Sequence, residues 1–235
     1  MTARVGLIVP SSNTVAEVDF YRRMPAGATL HTARMYLEEV TAQAEEAMLD
    51  EHLPIALRDL ATVQPDVVVF ACTSAGALRG NAAEQELIER IAQRTGARAI
   101  SVAAAVREAI AAHGARRVGV LTPYVRELND KIAASLEDDG VSVAAIYGMG
   151  IVDNAEIGAV APDRIAAFAS ETLRDADVEL VFVSCTNFRA FEARERIEHE
   201  LGVRVVTSNQ AVVESALEAL EALEALEEPE ELRAR

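Results

Sequence analysis

Two cysteines, Cys72 and Cys185, are the residues whose type and position most directly suggest chemistry. They are the only cysteines in the 235 residues of the chain. Each follows a short run of apolar, β-branched residues, and each is followed by threonine and not by a packing residue. A thiol at a strand end is a candidate nucleophile, because its thiolate form attacks electrophilic carbon. For either cysteine alone, a buried and inert side chain is the alternative.

The surroundings of the two cysteines are repeated along the chain. Two segments recur at an offset of 113 residues and a third at 106, as expected if one loop was shortened. The matching pairs are 5–10 with 118–123, 67–73 with 180–186, and 96–101 with 202–207. Such a repeat predicts a duplicated fold. If the two halves face each other across a pseudo-twofold axis, both thiols lie in the cleft between them.

Each half alternates short apolar strands with segments of helical period, which predicts an α/β fold. Continuous apolar strands imply a parallel four-stranded sheet flanked by helices in each of two pseudo-symmetric lobes. We expect an N-terminal lobe over 1–113 and a C-terminal lobe over 114–235. The active site should lie in the cleft, because ligands bind outside the carboxyl ends of parallel strands. The predicted strands are near 5–9, 28–35, 67–71, 98–101, 117–121, 141–147, 180–184 and 204–207.

Helices are predicted between these strands. Those of the first half are near 14–24, 39–62, 82–94 and 103–113. Pro54 should disturb the second of them, and Pro162 suits the first turn of a later helix. The last helix, from about Gln210, carries a leucine stripe at positions 217, 220, 223 and 226 and should end at Pro229, with 229–235 frayed. The stripe favours packing onto the chain's own sheet or back across the lobes, while a homodimer or higher homo-oligomer seam is the alternative.

Composition narrows the classes of partner. The formal charge of −16 opposes binding to phosphate backbones, so we expect no nucleic-acid partner. No apolar run approaches the roughly 20 residues that a membrane span needs. The start of the chain leads directly into a strand and lacks a secretion signal, so a cytoplasmic location is expected.

Cofactor motifs are also absent from the sequence. Lys131 is the only lysine and lies in a polar helical run, which disfavours a Schiff base with pyridoxal phosphate. Gly148-Met149-Gly150 is not a dinucleotide fingerprint, and no Walker motif occurs. Metal ligands at suitable spacing are lacking, and the four histidines, at 31, 52, 113 and 199, receive no role. We therefore expect neither a metal nor an organic cofactor.

The strand ends carry hydroxyl, amide and thiol groups with hardly a charge among them. These are Pro-Ser-Ser-Asn-Thr at 10–14, Cys-Thr-Ser at 72–74, Thr-Pro-Tyr at 122–124 and Cys-Thr-Asn at 185–187. Neutral donors, together with the free N–H groups of a following helix, make a good seat for a carboxylate. A small carboxylic acid is the predicted ligand. On residues alone, the polar segment around Asn154 would only cap a helix.

These four motifs, with Asn154 ahead of Glu-Ile-Gly, resemble the maleate cis-trans isomerases, which share a superfamily with arylmalonate decarboxylase and the aspartate/glutamate racemases. The resemblance runs from about residue 4 to about residue 215. It implies that Cys72 is the nucleophile and Cys185 its partner across the cleft. It also implies carboxylate-binding roles for Asn13, Tyr124 and Asn154, with further donors from Thr73, Ser74, Thr186 and Asn187.

The chemistry implied is cofactor-independent isomerisation of maleate to fumarate through a covalent cysteine adduct. The Cys72 thiolate would add to the double bond, with its pKa lowered by the helix that follows, and Cys185 would exchange a proton with the neighbouring carbon. Arylmalonate decarboxylases keep only the second cysteine, so Cys72 argues against that activity. A two-cysteine amino-acid racemase or related catabolic enzyme, for example in ectoine use, and a non-catalytic carboxylate-binding protein are the alternatives.

Overall fold

The computed structural model describes residues 3–227, which form two parallel sheets of four strands each. The first sheet has the strand order β2-β1-β3-β4 and the second the order β6-β5-β7-β8. The strands are β1 (Ala3–Pro10), β2 (Ala28–Met35), β3 (Val67–Phe70), β4 (Arg98–Ser101), β5 (Arg117–Thr122), β6 (Ser142–Gly148), β7 (Leu180–Val183) and β8 (Arg204–Thr207). The predicted fold class, with eight parallel strands in two sheets, is confirmed.

The repeat found in the sequence is preserved in the strand register. Val5 lies opposite Val67 in the β1–β3 pair, and Val118 lies opposite Leu180 in the β5–β7 pair, a separation of 62 residues in both sheets. The central strands β3 and β7 are buried along their whole length. Burial on both faces explains their continuous apolar sequence, since helices cover each side of a parallel sheet.

Eleven helices connect and cover the strands within residues 3–227. They are α1 (Ala16–Tyr21), α2 (Ala42–Ala47), α3 (Leu53–Ala61), α4 (Thr73–Leu78), α5 (Asn81–Thr95), α6 (Val102–Ala112), α7 (Arg126–Asp138), α8 (Asn154–Ala159), α9 (Pro162–Leu173), α10 (Ala190–Leu201) and α11 (Ser208–Glu227). The short helices α4 and α8 were not predicted, because six residues are too few to show a helical period.

The predicted helix at 39–62 is interrupted. A π-helical turn over Met48–His52 separates α2 from α3, and Pro54 lies in the first turn of α3. Proline has no N–H to donate to the carbonyl four residues back, so the regular pattern cannot run through it. The wider turn directly before Pro54 absorbs that break.

The C-terminal helix α11 packs against both sheets. It contacts β3, β4 and α6 on one side and β8 and α10 on the other. Leu220 is buried, and Leu217 and Leu223 are half-buried against the core. The stripe therefore packs within the chain as far as it is described, while the predictions for the Leu226 side chain, Pro229 and 229–235 lie outside the described residues.

Candidate active site

Both cysteines lie where the central strands end, and the two strand ends meet. Cys72 follows β3, and Cys185 follows β7. A buried cavity lies between the two lobes and touches both thiols. Its lining is Pro10, Asn13, Leu37, Val40, Glu45, Cys72, Ser74, Tyr124, Asn154, Cys185, Thr186 and Asn187. The topology thus unites side chains that are more than 170 residues apart in sequence.

Eight of the nine predicted site residues line this cavity. Thr73 does not, because its hydroxyl is directed away from the cavity and donates to Ser208 Oγ at 2.9 Å. Ser208 Oγ also accepts from the backbone N–H of Cys185 at 3.0 Å. Thr73 and Ser208 therefore connect the two lobes behind the thiols.

The two cysteines have different backbone conformations despite the repeat. Cys72 is extended, with φ −139°, and directly precedes helix α4. Cys185 has φ 99°, a region that L-residues rarely occupy. Such a conformation costs of the order of 1–3 kcal/mol and is found most often at functional sites. The Cys185 Sγ accepts from the N–H of Asn187 at 3.3 Å, so this unusual turn directs a backbone donor at the sulfur.

Burial dominates the acidity of both thiols. It raises the pKa of Cys72 well above its ordinary value and that of Cys185 to about 11. The N–H of Ala75 in α4 favours the Cys72 thiolate, as the sequence suggested, but it does not outweigh desolvation. The predicted lowering of the Cys72 pKa is therefore wrong, because burial makes both cysteines neutral thiols near pH 7.

Tyr124 and Ser74 connect the two thiols. The Tyr124 hydroxyl is buried and interacts with the Cys185 thiol and with Ser74. Ser74 Oγ lies 3.9 Å from Cys72 Sγ. Burial raises the pKa of Tyr124 well above its usual value, and the nearby thiols raise it further. Tyr124 is thus a neutral hydrogen-bond donor at any pH in the ordinary range.

Asn13 and Thr186 tie the first strand end to the second lobe. Asn13 Nδ2 donates to Thr186 Oγ1 at 3.0 Å, and Thr186 Oγ1 in turn donates to the carbonyl of Ala71 at 3.0 Å. Asn13 Oδ1 accepts from the N–H groups of Val15 and Ala16, both at 3.0 Å. The Asn13 side chain therefore has a single orientation, fixed from both sides.

Asn154 and Asn187 form a second connection across the cleft. Asn187 Nδ2 donates to Asn154 Oδ1 at 3.1 Å, and Asn187 Oδ1 accepts from the N–H of Thr14 at 2.8 Å. Asn154 Nδ2 donates to Ser12 Oγ at 2.8 Å. Asn154 begins helix α8, whose N-cap is Asp153. The segment that the sequence assigned to helix capping alone thus also brings an amide into the cavity.

No site role was predicted for Glu45, which is completely buried at the cavity wall. Ser74 Oγ donates to Glu45 Oε1, while Glu45 Oε2 has no hydrogen-bond partner. Burial raises the pKa of Glu45 to about 8. One signal was available: Glu45 lies three and four residues before the buried Met48 and Leu49, so a carboxylate falls on the apolar face of its helix.

The cavity is nearly closed. Its volume is about 10 Å³, room for a single water molecule. Two backbone hydrogen bonds close it from above, from Val40 N–H to the Val152 carbonyl at 2.8 Å and from Asn154 N–H to the Glu38 carbonyl at 3.1 Å. A cavity of this volume does not admit a small carboxylic acid unless part of its wall moves.

Cations are absent from the cavity wall, in the part of the chain that the structure describes. No arginine, lysine or histidine lines it. Within residues 3–227, no three His, Cys, Asp or Glu side chains are grouped closely enough to hold a metal ion. Nor is any helix over that range long and apolar enough to cross a membrane. The groups available at the site are two thiols, one carboxyl, hydroxyls, amides and backbone N–H groups.

Two facing thiols at the strand ends of a duplicated parallel fold define a class of α/β enzyme that works through cysteine. The sequence profile of the arylmalonate decarboxylase family matches residues 5–227. The chain therefore belongs to the arylmalonate decarboxylase family. Within that family it is similar to the maleate isomerases, and it is an enzyme of the isomerase class.

Individual relatives span almost the whole chain. The maleate isomerase of Nocardia farcinica is 29% identical over 224 residues, which cover 91% of this chain and 88% of the relative. The crystal structure of maleate isomerase from Pseudomonas putida S16 with maleate has a TM-score of 0.86 at 26% identity, covering 93% and 92% of the two chains.

A third relative bears on the cysteines. A cysteine-to-serine mutant of the Nocardia farcinica maleate cis-trans isomerase holds a covalently bound succinylcysteine intermediate. Its TM-score is 0.86 at 27% identity, covering 93% of each chain. A covalent bond between cysteine and a succinyl group is thus part of the chemistry of this neighbour.

Proposed function

We propose that this protein converts maleate to fumarate by reversible addition of the Cys72 thiolate to the double bond, with Cys185 as the proton donor and acceptor. The observation that supports this most directly is the convergence of both cysteines on one buried cavity lined by neutral hydrogen-bond donors. A decarboxylase with a single thiol would not need the second cysteine.

Once Cys72 has lost its proton to solvent, the reaction is balanced within the Cys72 thiolate, the Cys185 thiol and the substrate. The Cys72 sulfur forms a bond to one olefinic carbon, and the π electrons move to the adjacent carbon next to its carboxylate. The Cys185 thiol protonates that carbon, which gives a succinyl adduct and a Cys185 thiolate. After rotation about the new single bond, Cys185 takes the proton back, the carbon–sulfur bond breaks, and fumarate leaves.

Neutral donors support the negative charge that develops during addition. Tyr124, Asn13 and Asn154 are buried and held in place before the substrate arrives. Donors that need no reorganisation stabilise such charge most effectively in a water-free site. They also explain how a carboxylate is accommodated without a cation in the cavity wall.

The different conformations of the two cysteines favour these unequal roles. Each sulfur has hydrogen-bond donors that favour its thiolate. They are the Ala75 N–H and the Ser74 hydroxyl at Cys72, and the Tyr124 hydroxyl and the N–H groups of Asn187 and Phe188 at Cys185. Cys185 has the strained backbone and the Tyr124 hydroxyl, which hold its sulfur in one position. A fixed thiol is suited to delivering a proton to one face of the intermediate.

The test is to incubate the purified, reduced protein with maleate and to follow the olefinic protons by NMR. Fumarate should form, and Cys72→Ser and Cys185→Ser should each abolish turnover. In Cys185→Ser, addition followed by protonation from water should leave an adduct of one maleate on Cys72, because no thiol is present to remove that proton again; peptide mass spectrometry detects it. Ser184→Ala, next to Cys185, is the control and should keep turnover, because Ser184 Oγ has no partner.

Two results would contradict the proposal. Deuterium exchange at the α-carbon of aspartate, with no fumarate from maleate, would indicate a racemase. Full activity in either cysteine variant would remove the roles given to the two thiols.

A further inference from the structure

The Ser74 hydroxyl has one hydrogen and three neighbours that can accept it. It contacts Glu45 Oε1, Cys72 Sγ at 3.9 Å and the Tyr124 hydroxyl. A hydroxyl donates to only one of them at a time. The state of Glu45 decides which one, because a carboxylate attracts a donor more strongly than a neutral oxygen or a thiol does.

We propose that Glu45 works as a neutral carboxylic acid that positions Ser74, so that the Ser74 hydroxyl donates to the Cys72 thiolate only while Glu45 is protonated. In that state Glu45 donates its own proton to Ser74 Oγ and leaves the Ser74 hydrogen for the thiolate. When Glu45 ionises, it takes the Ser74 hydrogen and places a second negative charge beside the sulfur.

The surroundings of Glu45 favour the neutral form. Its side chain is completely buried, and Oε2 has no donor. An ionised carboxyl with an unpartnered oxygen is costly in such a place. Burial is the main reason why the pKa of Glu45 is about 8, so that the acid form predominates at neutral pH.

The titratable groups that act on Glu45 are all acids. On its own helix, Glu46 is the neighbour, and its charge is engaged by Arg79, the residue that follows α4. From the facing elements, both cysteines and Tyr124 interact with it, directly or through Ser74. Arg79 pairs with Glu46 and Asp50 and not with Glu45, so the ionisation of Glu45 directly disfavours the thiolate.

This inference rests on the proposed function only in taking Cys72 as the nucleophile, and its test needs no substrate. The rate of Cys72 alkylation by iodoacetamide is proportional to the fraction of Cys72 present as thiolate. It is measured from pH 6.5 to 10 by peptide mass spectrometry. In the wild type, the rate should rise about tenfold per pH unit below pH 8 and then level off, because ionised Glu45 raises the pKa of the thiol.

Substitutions at Glu45 separate its charge from its hydrogen bond. Glu45→Gln cannot ionise but can still donate to Ser74. Its alkylation rate should continue to rise above pH 8 and exceed the wild-type rate about tenfold at pH 9. Glu45→Met is neutral and similar in size but cannot donate, so at pH 7 it should react roughly fivefold more slowly than Glu45→Gln, the effect of one hydrogen bond. Glu51→Gln removes an exposed carboxylate of the following turn that does not act on Glu45, so it is the control and should keep the wild-type break.

The outcomes are distinct. If the alkylation rate of the wild type rises through pH 8 without a break, the proposal is overturned. This outcome can be observed with the wild-type protein alone. Equal rates for Glu45→Gln and Glu45→Met overturn the positioning of Ser74. If these profiles behave as expected but maleate is not turned over, the proposed substrate fails while the role of Glu45 stands.

Discussion

Replacing Ser208 by alanine tests the connection between the lobes behind the thiols. Ser208 Oγ is the acceptor for the Thr73 hydroxyl and for the N–H of Cys185, at 2.9 and 3.0 Å, and all three residues are buried. The variant leaves two buried donors without a partner. Each costs about 1–3 kcal/mol, and since neighbouring effects do not add fully, we expect a loss of roughly 2–4 kcal/mol.

The measurement is urea unfolding followed by circular dichroism at pH 7. Ser184→Ala is the matched control, because Ser184 is equally buried and lies beside Cys185, but its hydroxyl has no partner. That variant should be as stable as the wild type or more stable. Since Ser208 also supports the strained backbone of Cys185, Ser208→Ala should lower kcat for maleate as well.

Two outcomes would refute this reasoning. The first is a loss of less than about 0.5 kcal/mol in Ser208→Ala, the range of a neutral surface substitution. Equal losses in Ser208→Ala and Ser184→Ala would show that the buried volume, and not the hydrogen bonds, stabilises this region.

Three further predictions follow from other features. Relative to Glu45→Gln, the unfolding free energy of the wild type should fall by about 1.4 kcal/mol per pH unit between roughly pH 5 and 8. The reason is that the folded state keeps the Glu45 proton up to pH about 8, while the unfolded state has lost it. Urea unfolding at several pH values measures this, and the same pH dependence in both proteins would contradict it. Asn154→Ala should raise the KM for maleate about tenfold through loss of one buried hydrogen-bonded amide. An unchanged KM would show that Asn154 does not bind the substrate. In Gly158→Ala the new Cβ would lie 3.1 Å from Asn187 Oδ1, so kcat/KM should fall, whereas Gly150→Ala, with open space but φ 73°, should lower only the melting temperature.

The fold was predictable because it depends on patterns that are local or repeated. Apolar runs such as Val67–Phe70 are continuous because both faces of the sheet are covered. The repeat at an offset of 113 residues allowed the elements of one half to be predicted from those of the other. The π-helical turn before Pro54 was predictable only as a disturbance, because the sequence shows a missing donor but not how the chain compensates for it.

The candidate site was predictable where a residue sits at a strand end, as with Asn13 and Cys185. It was not predictable where a side chain's direction depends on the other lobe. Thr73 has the same sequence context as Thr186, yet it bonds to Ser208 outside the cavity lining. Glu45 enters the cavity only because α2 packs against α4, a contact that no local pattern reveals.

The different backbone conformations of the two cysteines depend on their being separate positions of a single chain. In a symmetric dimer of identical half-length chains, one gene would encode both thiols, and both would share one conformation. Here the extended Cys72 and the left-handed Cys185 belong to separate copies within one chain. Because each thiol has its own position in one chain, a substitution beside one leaves the other unchanged, which is impossible in a pair of identical subunits.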